Sequence, residues 1–247
     1  MSQLKNLTWP MVEEYLKHSK SIVLPIGSCE QHGPTGLIGT DFMTAEALAE
    51  KYCDEHRIIM APSFNYGMAG HHLGFPGTIS LSPETYTKAL IDIFNSMIYT
   101  GFEKVLIING HGGNVPFVQA AVSQIKYDNK DSSFETYLEN WWKSPSLENY
   151  QQEHFGEANG FHATCGEVSL TQHIAEKAFE KIENTQFKID SNRPKHHPLS
   201  ASELKKYYPD GRMSSNPGLA SKEHGAELER LYLDYLKERY KGIIHEL

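Results

Sequence analysis

Three short stretches of this chain carry residues able to do chemistry: Glu30-Gln31-His32-Gly33-Pro34 with Asp41, Asn109-Gly110-His111-Gly112-Gly113-Asn114, and His162-Ala163-Thr164-Cys165-Gly166-Glu167. Each follows an apolar run, so a folded α/β core can bring all three to one rim. Carboxylates and imidazoles held on rigid strand ends are what a divalent metal needs, and a metal that activates water implies hydrolysis.

Each cluster also has a plainer reading. Glu30 and His32 are two apart, so on extended backbone both point the same way, while Gly33-Pro34 forces a turn and Asp41 opens the next helix. Singly, Asp41 reads as a helix N-cap and His32 as a surface-loop histidine. Together they are harder to dismiss, because a glutamate beside an imidazole directly after a buried strand needs a partner, and a cation supplies one. The glycines around His111 let the backbone turn sharply and approach a ligand closely; the plain alternative is a strand-to-helix turn with a satisfied histidine. A phosphate cradle is excluded by the lack of G-x-G-x-x-G and of G-x-x-x-x-G-K-[ST], and a serine hydrolase by the lack of G-x-S-x-G.

Glu167 has a strong structural alternative, since Thr164-x-x-Glu167 is a capping box and an acid in a first helical turn complements the dipole. His162 is suited to proton transfer, with a reference pKa of about 6.5. His71-His72 read as a polar loop before a strand, with a substrate contact as the sharper reading. Trp141 and Trp142 read first as packing residues, and Cys29, Cys53 and Cys165 as small buried hydrophobes.

The elements that must position these residues alternate. Apolar runs at 21–26, 58–61, 104–109 and 134–138 read as strands, the third apolar on both faces as a buried parallel strand is. Pro25 sits late in the first run, where a lost donor costs little. Helical patterns occupy roughly 10–18, 41–55, 83–100, 115–127, 167–183 and 222–241. Ser82-Pro83 and Asn114 with Pro116 are start signals. Strand then helix, repeated, predicts a mostly parallel sheet with helices on both faces, and such sheets place their sites beyond the strand carboxyl ends. The segment 139–161 reads as a long irregular loop and a pocket wall.

A chain of 247 residues, 39% hydrophobic, suits one α/β domain spanning 1–247. The formal charge of −8, without any block of like charge, gives little support to nucleic-acid or anionic-membrane partners. The longest basic or His-rich stretch, Arg193-Pro194-Lys195-His196-His197, is too short to change that. Three scattered cysteines argue against a disulfide framework and for a reducing cytoplasm. Met1-Ser2-Gln3-Leu4-Lys5 lacks an apolar leader, and no run approaches the roughly 20 residues of a membrane span.

Pro25-Ile-Gly-Ser-Cys-Glu-Gln-His-Gly-Pro34 with Gly39-Thr-Asp41, Phe75-Pro-Gly-Thr78, Asn109-Gly-His-Gly-Gly-Asn114 and His162-x4-Glu167 resemble the creatininase (creatinine amidohydrolase) family, over nearly the whole chain from about residue 20 to Asn216-Pro217-Gly218. The resemblance implies a three-layer α/β/α sandwich with a mostly parallel central sheet, commonly a homohexamer, and a site for two divalent metal ions, zinc by preference, manganese or iron otherwise. Carried over by position, Glu30 and His111 would hold one metal, His32 the other, and Asp41 would bridge them, with His162 the catalytic proton carrier. The chain departs from the creatininase proper, which has a glutamate where Gly113 stands. Glu167 then resembles the replacement ligand, and creatinine itself becomes doubtful as substrate.

The implied chemistry is hydrolysis of the C–N bond of a small cyclic or linear non-peptide amide, such as creatinine or a formamide. His162 hands a proton to the leaving nitrogen, and the N–H groups of Gly112 and Gly113 are candidates to hold the developing oxyanion. His72 and Trp142 are candidate substrate contacts. Two other readings stand beside it: a hydrolase of a sugar-derived ring or C–C bond in the same site, and a metal-binding oligomeric scaffold without turnover.

Overall fold

A computed structural model describes residues 3–129, 133–183, 185–189 and 194–244; Met1, Ser2 and Arg193, part of the terminal and basic stretches above, lie outside them. The helices and strands run α1 (Trp9–Tyr15), β1 (Ser21–Ile26), α2 (Thr40–His56), β2 (Ile59–Met60), α3 (Pro83–Tyr99), β3 (Lys104–Asn109), α4 (Val115–Asp128), β4 (Glu135–Asn140), α5 (Pro145–His154), α6 (Cys165–Ile174), α7 (Glu176–Phe179), α8 (Ala201–Tyr207) and α9 (Lys222–Tyr240).

The four strands form one parallel sheet in the order β2-β1-β3-β4. Side chains alternate across it. Val23, Met60, Leu106 and Ile108 pack against Leu48 and Tyr52 of α2, Leu170 of α6, and Leu228 and Leu236 of α9. Ile22, Leu24, Ile59, Val105 and Ile107 pack on the other face with Leu90 and Phe94 of α3 and with Val118, Ala121 and Ile125 of α4. Each such side chain contributes about 1.5–3 kcal/mol by leaving water, which is why β1 and β3 are apolar on both faces. The result is the expected three-layer α/β/α sandwich.

The strand order decides where a site can form. From β1 the chain leaves through α2 on one face, and from β3 it leaves through α4 on the other, so the two connections diverge and open a crevice at the carboxyl ends of β1 and β3. Pro25 does no harm in β1 because β2 has already ended beside it; its carbonyl accepts from the Phe64 N–H.

Several elements differ from expectation. The stretch 139–161 is not an irregular loop: β4 runs on to Asn140, and α5 is flanked by 3-10 turns at Trp141–Lys143 and Gly156–Asn159. Ser144-Pro145 is the start signal that the aromatic and polar composition masked. The helix expected over 167–183 stops at Ile174, and Ala175 leaves helical geometry before α7. His71 and His72 lie in a 3-10 turn, Gly70–His72, followed by turns and a single bridge from Ile79 to Cys29 instead of a strand. Asn114 begins α4 without capping it, because its side chain is spent elsewhere.

Candidate metal centre

Glu30 and His32 sit just past β1, His111 two residues past β3, and Asp41 in the first turn of α2, whose amino end points into the same crevice. The approach is close. Any Cβ at Gly110 would overlap the Asp41 carbonyl, so only glycine lets the β3 turn and the start of α2 touch. Asp41 is not the helix cap: Gly39 holds that position and no side chain caps it.

Asparagines set the His111 turn. Asn109 accepts from the His111 N–H at 3.0 Å and donates to the His111 carbonyl at 2.7 Å. Asn114 accepts from the Met68 N–H at 3.1 Å and donates to the Gly27 carbonyl at 3.0 Å, tying this turn to the end of β1. A side chain at Gly113 would run into the His111 ring and the Met68 carbonyl, which leaves no room there for a glutamate.

The five residues converge. His32 Nε2 lies 2.9 Å from Asp41 Oδ1, and His111 Nδ1 lies 3.1 Å from Glu30 Oε2 and 3.2 Å from Asp41 Oδ2. Ligand atoms of Glu30, Asp41 and His111 lie within 4.8 Å of one another, as do those of His32, Asp41 and Glu167, and those of Glu30, His32 and His162. Asp41 is common to the first two groups. Glu167 serves the helix as well: Thr164 accepts its N–H at 3.1 Å while its Oε2 accepts the Thr164 N–H at 2.8 Å, completing the capping box. That bond occupies one carboxylate oxygen, and a second oxygen remains.

Burial makes the cluster costly. Glu30 and His32 are fully buried, Asp41 is 2% exposed, and both oxygens of Glu30, Oδ2 of Asp41 and Nε2 of His32 complete no hydrogen bond. Such groups are normally satisfied. Burial opposes the Glu30 charge, yet His111 and then His72 hold its pKa down to about 2. Burial likewise opposes charge on His32, and Asp41 overrides it, raising His32 to about 9. Asp41 is depressed by His32 and His111 against its own burial, and His111 is raised by Glu30 and Asp41 against its burial. An excess of buried carboxylate therefore draws in protons, and it would draw in a cation by the same Coulomb attraction.

The imidazoles are prepared for that. His32 Nδ1 donates to the Glu30 carbonyl at 3.1 Å and His111 Nε2 donates to the Met68 carbonyl at 3.1 Å, so in each the other nitrogen faces the carboxylates. Metal-binding histidines are held this way by outer carbonyls. The donor set, three carboxylates with two anchored imidazoles, thus fits two divalent cations better than an apolar or purely structural role. His162 Nε2 donates to the Gln31 carbonyl at 2.6 Å, which leaves Nδ1 facing Glu30 Oε1 at 3.7 Å; burial, then the neighbouring His32, lower its pKa to about 4.

The centre opens into a cavity of about 670 Å³ lined by His71, Gly112, Trp142, Asn149, Gln152 and Phe161 among others. Trp141 is core, fully buried, while Trp142 lines the cavity beside Gly112. His72 is buried at 1% exposure but reaches the cavity wall. Glu30, Asp41, His72, His111, Gly112, Gly113, Trp142, His162 and Glu167 all line this space, and His32 lies behind its wall among the ligand groups. Sequence pattern does not single out Gln31, Asn109 or Asn114 as side chains that orient the histidines; their only signal is that amides flank the motif residues. Among the described residues no helix is long and apolar enough to cross a membrane.

Comparisons with known proteins bear on the family and the fold. The family model "Creatininase: Creatinine amidohydrolase" matches residues 5–240. A mycofactocin precursor peptide peptidase of Mycobacterium tuberculosis is 34% identical over 126 residues, 47% of this chain and 50% of that protein. A 3-dehydro-scyllo-inosose hydrolase of Thermotoga maritima is 32% identical over 109 residues, 44% of this chain and 35% of that protein. The matched stretches thus span about half or less of these relatives' length. A solved creatinine amidohydrolase (creatininase) superposes with a TM-score of 0.83 over 98% of this chain and 97% of its own, at 20% identity, a likeness of fold.

Proposed function

Because the chain belongs to the creatininase family, whose model spans residues 5–240, we propose that it is a metal-dependent amidohydrolase cleaving the C–N bond of a small, polar, cyclic or linear non-peptide amide. The observation that carries the reading is the pair of ligand groups sharing Asp41, with the unengaged nitrogen of His162 beside them. Glu30 and His111 would hold one cation, His32 and Glu167 the other, and Asp41 both. When bound, such cations polarise a carbonyl and make water a better nucleophile near neutral pH.

The rest belongs to the chain. His162, kept neutral by burial and anchored through Nε2, takes a proton at Nδ1 from the attacking water. As the C–N bond breaks, it returns that proton to the leaving nitrogen. Gly112, on the cavity wall beside Trp142, and Gly113 next to it have backbone N–H groups suited to receive the developing oxyanion. Trp142 supplies an apolar wall, and Asn149 and Gln152 of α5 supply polar contacts.

A second reading has its own support. The same aromatic wall and amide side chains suit a polyhydroxylated ring, and one relative is named as an inosose hydrolase. Turnover of zinc- or manganese-loaded protein on a panel of amides, formamides and cyclic polyol ketones separates the readings. Amide cleavage by the native chain is expected, with His162→Ala retaining metal but losing about 10²–10⁴-fold in rate. Ketone opening without amide cleavage favours the second reading; metal binding without any turnover leaves a scaffold.

A further inference from the structure

Four imidazoles surround Glu30, and three are anchored alike. His32, His111 and His162 each donate one ring N–H to a backbone carbonyl, of Glu30, Met68 and Gln31 respectively. In each the remaining nitrogen is turned toward the centre. His72 is the exception, because its Nδ1 meets the side-chain carboxamide nitrogen of Gln31 at 2.8 Å.

The orientation of that carboxamide is settled by two neighbours that have one role only. Gln31 Oε1 accepts the Gly33 N–H at 2.8 Å, and Gln31 Nε2 donates to the Gly211 carbonyl at 3.1 Å. Turning the amide over would set oxygen against the Gly211 carbonyl and NH₂ against the Gly33 N–H, losing both bonds. The backbone is held too, since the Gln31 N–H donates to Thr78 Oγ1 at 3.1 Å. Gln31 is 4% exposed, so water offers no substitute partner. Its Nε2 is therefore a donor, and His72 Nδ1 must accept. The His72 proton then sits on Nε2, which faces Glu30 Oε1 at 3.4 Å.

We propose that Gln31 is a positioning residue of this centre: its carboxamide and its carbonyl set two adjacent imidazoles to opposite roles, His72 presenting an N–H to Glu30 and His162 presenting a lone pair at Nδ1. The rings stack with centroids 4.3 Å apart, so the acceptor and the donor stand side by side against one carboxylate oxygen. His72 turns its N–H toward Glu30, while His162 is left free to accept a proton. The proposal rests on the hydrolytic reading for the use made of His162, and not for the proton positions themselves.

Proton positions are measurable without turnover. Two-bond ¹H–¹⁵N correlation spectra of zinc-loaded, ¹⁵N-histidine-labelled protein report which ring nitrogen of each histidine carries hydrogen. The expected spectrum places the proton of both His72 and His162 on Nε2. Gln31→Glu, nearly isosteric, replaces the donor facing His72 by an acceptor and leaves the backbone carbonyl in place. The His72 proton should move to Nδ1 while His162 keeps its proton on Nε2. A loss of packing alone would not move one of two stacked rings selectively. A native spectrum with the His72 proton on Nδ1, or a folded Gln31→Glu protein with His72 unchanged, overturns the proposal. If Gln31→Glu does not fold, the native spectrum still decides. Failure of every candidate substrate would sink the hydrolase reading and leave these spectra standing.

Discussion

Two buried glutamates at the strand ends of the same sheet are treated in opposite ways. Glu139, near the end of β4, is clamped: Arg239 Nε donates to it at 2.7 Å, Tyr235 at 3.3 Å, and the Tyr240 hydroxyl closely as well, so α9 is tied to the sheet edge. Glu30, just past β1, is fully buried with neither oxygen in a completed hydrogen bond and three histidines in ion-pair range. The first carboxylate is satisfied by a guanidinium and two phenol hydroxyls. The second faces imidazoles that are themselves candidate metal ligands or proton carriers. A buried charge with fixed donors holds a fold together, whereas one whose partners titrate or coordinate marks chemistry.

That contrast breaks most visibly at Asp41. Asp41→Ala should abolish stoichiometric metal binding and lower any hydrolysis by on the order of 10³-fold, the several kcal/mol a metal site supplies; emission spectrometry showing unchanged metal content would refute the shared-ligand role. Glu139→Gln is the counterpart, expected to keep metal and activity while lowering unfolding free energy by about 1–3 kcal/mol, read by urea denaturation. Loss of metal from that variant would erase the distinction between the two carboxylates.

Glu167 stands between the two behaviours, being both cap and candidate ligand. Thr164→Val should cost about 0.5–2 kcal/mol of stability with metal retained, and Glu167→Gln should halve the metal content. Full metal content in Glu167→Gln would make the residue a cap alone.

Proton release sharpens the contrast most gently. Without metal, burial opposes charge on His32 but Asp41 holds its pKa at about 9, so near neutral pH the ring carries a proton that an incoming cation must displace. Metal affinity should therefore rise as pH increases from neutrality toward about 9, as His32, and His111 raised in the same way, give up their protons. Calorimetry in buffers of different ionisation enthalpy detects the released protons; uptake with none released contradicts ligation by His32.

Much of this was readable in advance. The apolar runs of β1 and β3, the Thr164-x-x-Glu167 box and the convergence of Glu30, His32, Asp41, His111, His162 and Glu167 follow from local pattern and from the known location of sites on parallel sheets. The region after β4 was not, because Trp141 and Trp142 disguise a helix whose stability comes from burying Leu147 and from docking on α9. The end of α6 at Ile174 was equally hidden, as the helical pattern continues past the break. Asn114 has the look of a cap by residue type and serves as a cross-link, a choice made by Met68 and Gly27 from elsewhere in the chain.

Residue order alone determined which groups could meet: carboxylates and imidazoles placed after β1 and β3 and at the starts of α2 and α6, with glycine where backbones must touch. Only the tertiary structure decided how they meet. The divergence of α2 and α4 between β1 and β3 makes the crevice, and contacts across the fold, Met68 to His111 and Gly211 to Gln31, choose the nitrogen each ring turns inward. Hydrogen bonds are directional and short, so the proton on an imidazole is assigned by a neighbour within about 3 Å in space, and that neighbour need not be anywhere near in sequence.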